Sequence, residues 1–190
     1  MFKTLSYKLT NLLDRNGIIE KSEYDIYRYG FEMLIYFIVN VSIALSIGVF
    51  FDRVIQTIIF LCCYCTIRQF SGGYHARNYT ECTLTFVFIC ILTNLFEINM
   101  DIEKNIYLLI PIFILSVFII CKIAPLEHRN NPLSEDEKKR YKKVVTKLTS
   151  FIGIILIISL VYNIFEEYII YSLFAIVWIA ILLLIGTKIK

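Results

Sequence analysis

His75 and Cys82 stand seven positions apart in the stretch RQFSGGYHARNYTEC, Arg68 to Cys82, between two runs of apolar residues. A cysteine attacks carbonyl carbon only as the thiolate. Near neutral pH a thiolate is obtained from a neighbouring histidine, a nearby cation or the positive end of a helix. This stretch offers all three. His75 can accept the thiol proton, and Arg68 and Arg77 supply positive charge. Asn78 with Glu81 three residues on resembles a capping box, which would place Cys82 in the first turn of the apolar helix that follows. Spacing sets a condition. Seven residues of helix separate Cα atoms by roughly 10 Å and an extended strand by more than about 20 Å, so the chain must fold back for imidazole and sulfur to meet. Gly72-Gly73 and Asn78 permit such a turn without requiring it. The plainer reading makes His75 a polar loop residue at headgroup level and Cys82 a small residue at a helix end. Cys121 and His128 repeat the interval, but Cys121 lies in an apolar run that disfavours charge and Pro125 interrupts the way, so this pair ranks below the first.

The elements that must position these groups are those of a membrane protein. Of 190 residues 58% are hydrophobic, with 15 Phe and 13 Tyr, more than the core of a soluble domain this size needs. Six apolar runs are legible: Met33 to Phe51, Val54 to Phe70, Thr83 to Ile98, Ile106 to Ala124, Leu148 to Phe165 and Ile169 to Ile185. Each approaches the roughly 20 residues that cross a bilayer as a helix, though the second and third are short. The expected fold is therefore an all-α integral membrane protein of about six transmembrane helices. With Arg68 and Lys122, near the ends of their runs, counted with the segments that follow them, Lys and Arg fall 5, 1, 2, 1, 8, 0 and 2 along the chain, so alternate segments hold 17 against 2. The positive-inside rule then puts both termini, the His75/Cys82 loop between the second and third spans, and the Pro125 to Lys147 loop on the cytoplasmic face. Were the two short runs a re-entrant pair, four spans would remain and the sidedness of the loop would be reopened.

Ahead of the spans, Phe2, Leu5, Leu9, Leu12 and Leu13 recur at helical steps among Lys3, Lys8, Asn11 and Arg15, the pattern of an amphipathic helix lying in the interface. Asn16-Gly17 breaks it, and Ser22 is a candidate cap for the helix leading into the first span. One domain is expected over 1–190, with 1–29 as the interfacial segment and 30–190 as the bundle; Met1 to Arg28 carries charges throughout, so a cleavable signal is not expected there. Ser134, Glu135, Asp136 and Glu137 read as the start of a helix with acids at its positive end and bases beyond, lying along anionic headgroups. Five of the six cysteines sit in apolar runs and the sixth in the loop, so free thiols are expected rather than disulfides. Cys62, Cys63 and Cys65 have no second Cys/His pair at ligand spacing, and neither a metal nor another cofactor is expected.

The stretch RQFSGGYHARNYTEC resembles the signature of the accessory gene regulator B (AgrB) family, integral-membrane cysteine endopeptidases of Gram-positive quorum sensing. The likeness extends to length, basic amphipathic start, multi-span pattern and basic loop. It implies that Arg68, Gly73, His75 and Cys82 are needed for activity, in a cell-membrane protein. It implies as partner a short AgrD-like propeptide with an amphipathic leader, a central Cys or Ser and an acidic tail. His75 would deprotonate Cys82, whose thiolate would attack at the start of the tail and form a thioester. The propeptide's internal thiol would then displace Cys82 and close a thiolactone ring.

For that chemistry the residues offer further parts. The Cys82 backbone N–H or the Gln69 side chain could meet the oxyanion. Arg68 could bind the acidic tail or orient the loop. The basic run Lys138 to Lys147 could attract the tail over about a Debye length, roughly 8 Å at physiological salt. The rival reading is a non-enzymatic peptide exporter or sensor subunit, weakened as an exporter by the lack of a nucleotide-binding loop. Lipids are expected neighbours, nothing points to nucleic acid, and pairing of two copies is left open.

Overall fold

The structure is a computed structural model that describes residues 2–72, 79–99, 102–126, 133–162, 164 and 166–189. Among the described residues seven helices follow in order: α1 (Phe2–Arg15), α2 (Tyr24–Phe50), α3 (Val54–Ser71), α4 (Tyr79–Asn99), α5 (Ile102–Ile123), α6 (Glu135–Tyr162) and α7 (Glu166–Ile189). Each apolar run of the sequence falls on one of α2 to α7. Among the described residues four helices are long and apolar enough to cross a membrane, in α2, α3, α4 and α7, and Leu108–Ile123 of α5 is a shorter apolar stretch. The chain divides into two compact units, Met1–Ala44 and Leu45–Lys190.

In the first unit α1 turns its small polar side towards the chain and its apolar stripe outward. Ser6 and Thr10 are fully buried, their hydroxyls donated back to the carbonyls of Lys3 and Ser6, while Leu5, Leu9 and Leu12 stay exposed. An exposed apolar stripe is what an interfacial helix presents to lipid. Gly17 ends α1 at φ +65°, as Asn16-Gly17 foretold. Tyr24 fastens α2 to α1 through a 2.7 Å hydrogen bond from its hydroxyl to Asn11 Oδ1. Ser22 does not cap α2: its hydroxyl donates to Glu20 Oε2 at 3.3 Å, and Glu23 supplies the first carbonyl that α2 uses.

The second unit is built around α7. Tyr171, Ala175, Ile176, Ile179 and Leu183 are almost wholly buried, and a helix apolar on every side belongs in the centre of a bundle. Its broadest packing is against α3 and α5, with α6 next and α4 more sparsely. A tight turn joins α2 to α3, with Asp52 at φ 56° and the Arg53 amide bonded to the Gly48 carbonyl at 2.7 Å. Gly48 is demanded there because a Cβ would sit 2.7 Å from Thr57 Oγ1.

Helix α6 departs from the expected division into a surface helix and a separate span. It runs unbroken for 28 residues, about 42 Å, carrying the basic segment and the apolar one on a single rod. The reason is local: no Gly or Pro occurs between Glu137 and Ile152. It starts where the acidic cluster suggested, and the start is a capping box. The Ser134 amide and hydroxyl each donate to Glu137 Oε2 at 2.8 Å, and the Glu137 amide donates back to Ser134 Oγ at 3.3 Å. The Ser134 hydrogen bonds, backbone first, hold the Glu137 carboxyl below its ordinary range.

Candidate active site at the α3 and α4 ends

Arg68 and Gln69 occupy the last turn of α3, and Cys82 the first turn of α4. Cys82 is an exposed residue whose thiol is nonetheless partly desolvated, and the Arg68 guanidinium and Tyr64 ring lie within electrostatic reach of it. Tyr64 packs against Phe86 one helical turn beyond Cys82, ring centroids 5.8 Å apart, which ties the neighbouring turns of α3 and α4 together. Gln69 is exposed on the same last turn as Arg68. Gly73, His75, Arg77 and Asn78, and with them the fold-back of the loop and the Asn78 cap, lie outside the described residues, as does His128 of the rival pair.

At the α3 terminus the structure adds a constraint that the sequence did not disclose. Gly72 takes φ +64° and ψ −147°, a conformation essentially reserved for glycine. Its Cα faces the chain beyond α5: a Cβ there would lie 2.2 Å from the Leu126 carbonyl oxygen. The two segments form a parallel bridge, with the Leu126 amide donating to the Ser71 carbonyl at 2.9 Å. Arg68 Nη1 donates to the Gly72 carbonyl, so a cation within electrostatic reach of the cysteine also fixes the residue that follows α3. Phe70 meets Tyr141 of α6 edge to face at 5.6 Å. The motif is thus fixed at its α3 end by backbone from the α5–α6 connection and by a ring from α6.

At the opposite end of the same helices is a second polar group of residues. Arg53 Nε donates to Glu97 Oε2 at 3.1 Å, and the Tyr171 hydroxyl donates to Asn94 Oδ1 at 3.0 Å while sitting 3.5 Å from Glu97 Oε2. Trp178 Nε1 donates to Thr93 Oγ1 at 3.0 Å. Glu97 is 5% exposed and Arg53 32%, which makes this a largely buried ion pair. No cluster of His, Cys, Asp and Glu suited to a metal occurs among the described residues.

The model of the family described as Accessory gene regulator B matches residues 6–184, nearly the whole chain. The chain belongs to the AgrB family. An AgrB-like protein of Clostridium perfringens (strain SM101 / Type A) is 29% identical over 167 residues, covering 85% of this chain and 78% of that protein. An AgrB-like protein 2 of Clostridium perfringens (strain 13 / Type A) is 31% identical over 143 residues, covering 72% of this chain and 67% of the relative. No solved structure matches the AgrB chain. A membrane protein of this family is linked by it to the processing of AgrD-type peptides.

Proposed function

We propose that this AgrB protein is a membrane-embedded cysteine endopeptidase that removes the C-terminal tail of an AgrD-like propeptide and promotes its cyclisation. The observation that carries the proposal is the placement of Cys82: exposed, in the first turn of α4, with the Arg68 guanidinium in reach. Helix start and guanidinium favour an anion on sulfur against the partial desolvation of the thiol, and His75 is the base that takes its proton. The thiolate adds to the carbonyl at the start of the tail. The tail departs as the amine, protonated by the imidazolium, and leaves a thioester on Cys82. The internal thiol or hydroxyl of the propeptide then displaces Cys82 and closes the ring, a nearly balanced exchange when the nucleophile is a thiol. It outruns hydrolysis where water is kept from the acyl-enzyme.

The oxyanion donors are the first-turn amides of α4, together with Gln69. In a helix that begins at Tyr79 the amides of Thr80 and Glu81 have no acceptor within the helix, whereas that of Cys82 is the first to find one, so they precede the Cys82 amide as candidates. The excess of Lys and Arg on alternate segments supports a cytoplasmic site, with both termini on the same face. Coexpression with a matching propeptide tests the reading. Cys82→Ala and His75→Ala at normal membrane levels are expected to abolish the C-terminal cut; undiminished cutting by either would remove the dyad and return the chain to a binding or export role.

A further inference from the structure

Two clefts along α6 share Phe151 in their walls. One, of about 470 Å³, is lined by Lys142, Lys143 and Lys147 and ends on Phe151 and Ile154. The other, of about 680 Å³, begins at Phe151 and continues between α3, α6 and α7 along Ile55, Ile59, Ile155 and Ile158, with scarcely a polar atom in its wall. Lys143, Lys147, Phe151 and Ile155 follow one another at four-residue steps, so the cationic and apolar portions lie on a single stripe of the helix. The three lysines are exposed, and no ion pair engages them among the described residues. From Lys147 to Ile158 the helix rises about 16 Å, close to the depth of one leaflet of a hydrocarbon core about 30 Å thick.

The geometry points to a binding site for one anionic glycerophospholipid, its phosphate held by Lys142, Lys143 and Lys147 and one acyl chain laid in the groove past Phe151, Ile155 and Ile158. Charge complementarity and depth select this occupant. An acidic peptide would satisfy the lysines but leave the groove unfilled, and a neutral lipid would fill the groove but leave three cations unmatched. Lipid retention here is independent of peptide cleavage, so failure of one reading leaves the other standing.

Native mass spectrometry of the full-length protein in detergent tests the site, with phosphatidylglycerol and phosphatidylcholine as probes. Phosphatidylglycerol is expected to be retained at least tenfold better. Lys142→Gln, Lys143→Gln and Lys147→Gln should each cost about fivefold, and the three arginine replacements should keep retention. Ile155→Trp, which fills the groove below the lysines, should reduce retention at least tenfold. On the unaltered protein, retention of phosphatidylglycerol should rise with acyl length from six to sixteen carbons, which reads the groove without any substitution. Equal retention of the two lipids, indifference to chain length, or displacement of phosphatidylglycerol by an acidic peptide at equal concentration would overturn the proposal.

Discussion

Gly72→Ala is the most searching perturbation of the site, because it alters neither charge nor any group assigned to chemistry. At φ +64° and ψ −147° an alanine costs about 1–3 kcal/mol in backbone strain. Its Cβ would also stand 2.2 Å from the Leu126 oxygen, where ordinary contact begins at 3.4 Å, so the two segments must part by about 1.2 Å. The clash is with backbone, so no rotamer change relieves it and shortening the Leu126 side chain offers no rescue. Parting breaks the bond from the Leu126 amide to the Ser71 carbonyl, worth about 1 kcal/mol more. Together these come to about 2–4 kcal/mol on the placement of the loop, roughly 30- to 1000-fold in the population of the assembled site. The assay is tail cleavage in membrane vesicles followed by mass spectrometry over time, with membrane levels matched. Gly17→Ala serves as control, since Gly17 has φ +65° but nothing within 4 Å of its Cβ position, and it should leave cleavage unchanged. Cleavage by Gly72→Ala within threefold of wild type would refute the reasoning.

Other outcomes follow from separate features. Glu97→Ala strands Arg53 and removes a neighbour of Tyr171, and should lower stability in detergent by about 3 kcal/mol, at the low end for a broken buried pair because Arg53 is a third exposed; a chemical melt that moves by less than a third of that would contradict it. Cys82 should react with a membrane-impermeant thiol reagent added from the cytoplasmic side of inverted vesicles, while Cys90, buried at 2% exposure, stays unlabelled; labelling of Cys82 in intact cells from outside would reverse the proposed sidedness. The capping box should show in pH. Glu137 is held below the ordinary carboxylate range, so its contribution is complete near neutrality and fades as the pH falls through its folded value. Hydrogen exchange at Glu135 to Lys138 should therefore quicken on acidification, and Ser134→Ala should remove most of that dependence; exchange indifferent to both would leave the box without energetic weight.

Features governed by neighbouring residues were legible in the sequence. Asn16-Gly17 closes α1 where the pattern stopped, Ser134 opens α6, and each apolar run became a helix because length and hydropathy are local properties. Cys82 likewise entered the first turn of α4 as its flanking residues suggested. Contacts between distant parts of the chain were not legible. No local signal joins Gly72 to Leu126, and the Gly-Gly pair spoke only of freedom, whereas at Gly72 the structure uses the missing side chain to admit another backbone. The Arg53–Glu97 pair was nearer to view, since opposite charges at the start of α3 and near the end of α4 fall at the same end of consecutive antiparallel spans. Ser22 misled because Glu20 competes for its hydroxyl. The boundary drawn within α6 followed a change of composition, which shifts the solvent a helix meets without interrupting its hydrogen bonds.

Because α4 packs only sparsely on α7, its polar bonds have an outsized influence on where it settles. Oily side chains can slide past one another in hydrocarbon at little cost, but Glu97, Asn94 and Thr93 engage Arg53, Tyr171 and Trp178 in a single vertical register. Cys82 and Glu97 are separated by about 22 Å of the same rigid helix. The height of the sulfur along the bundle is consequently calibrated from the far end of α4, by residues remote from the candidate site.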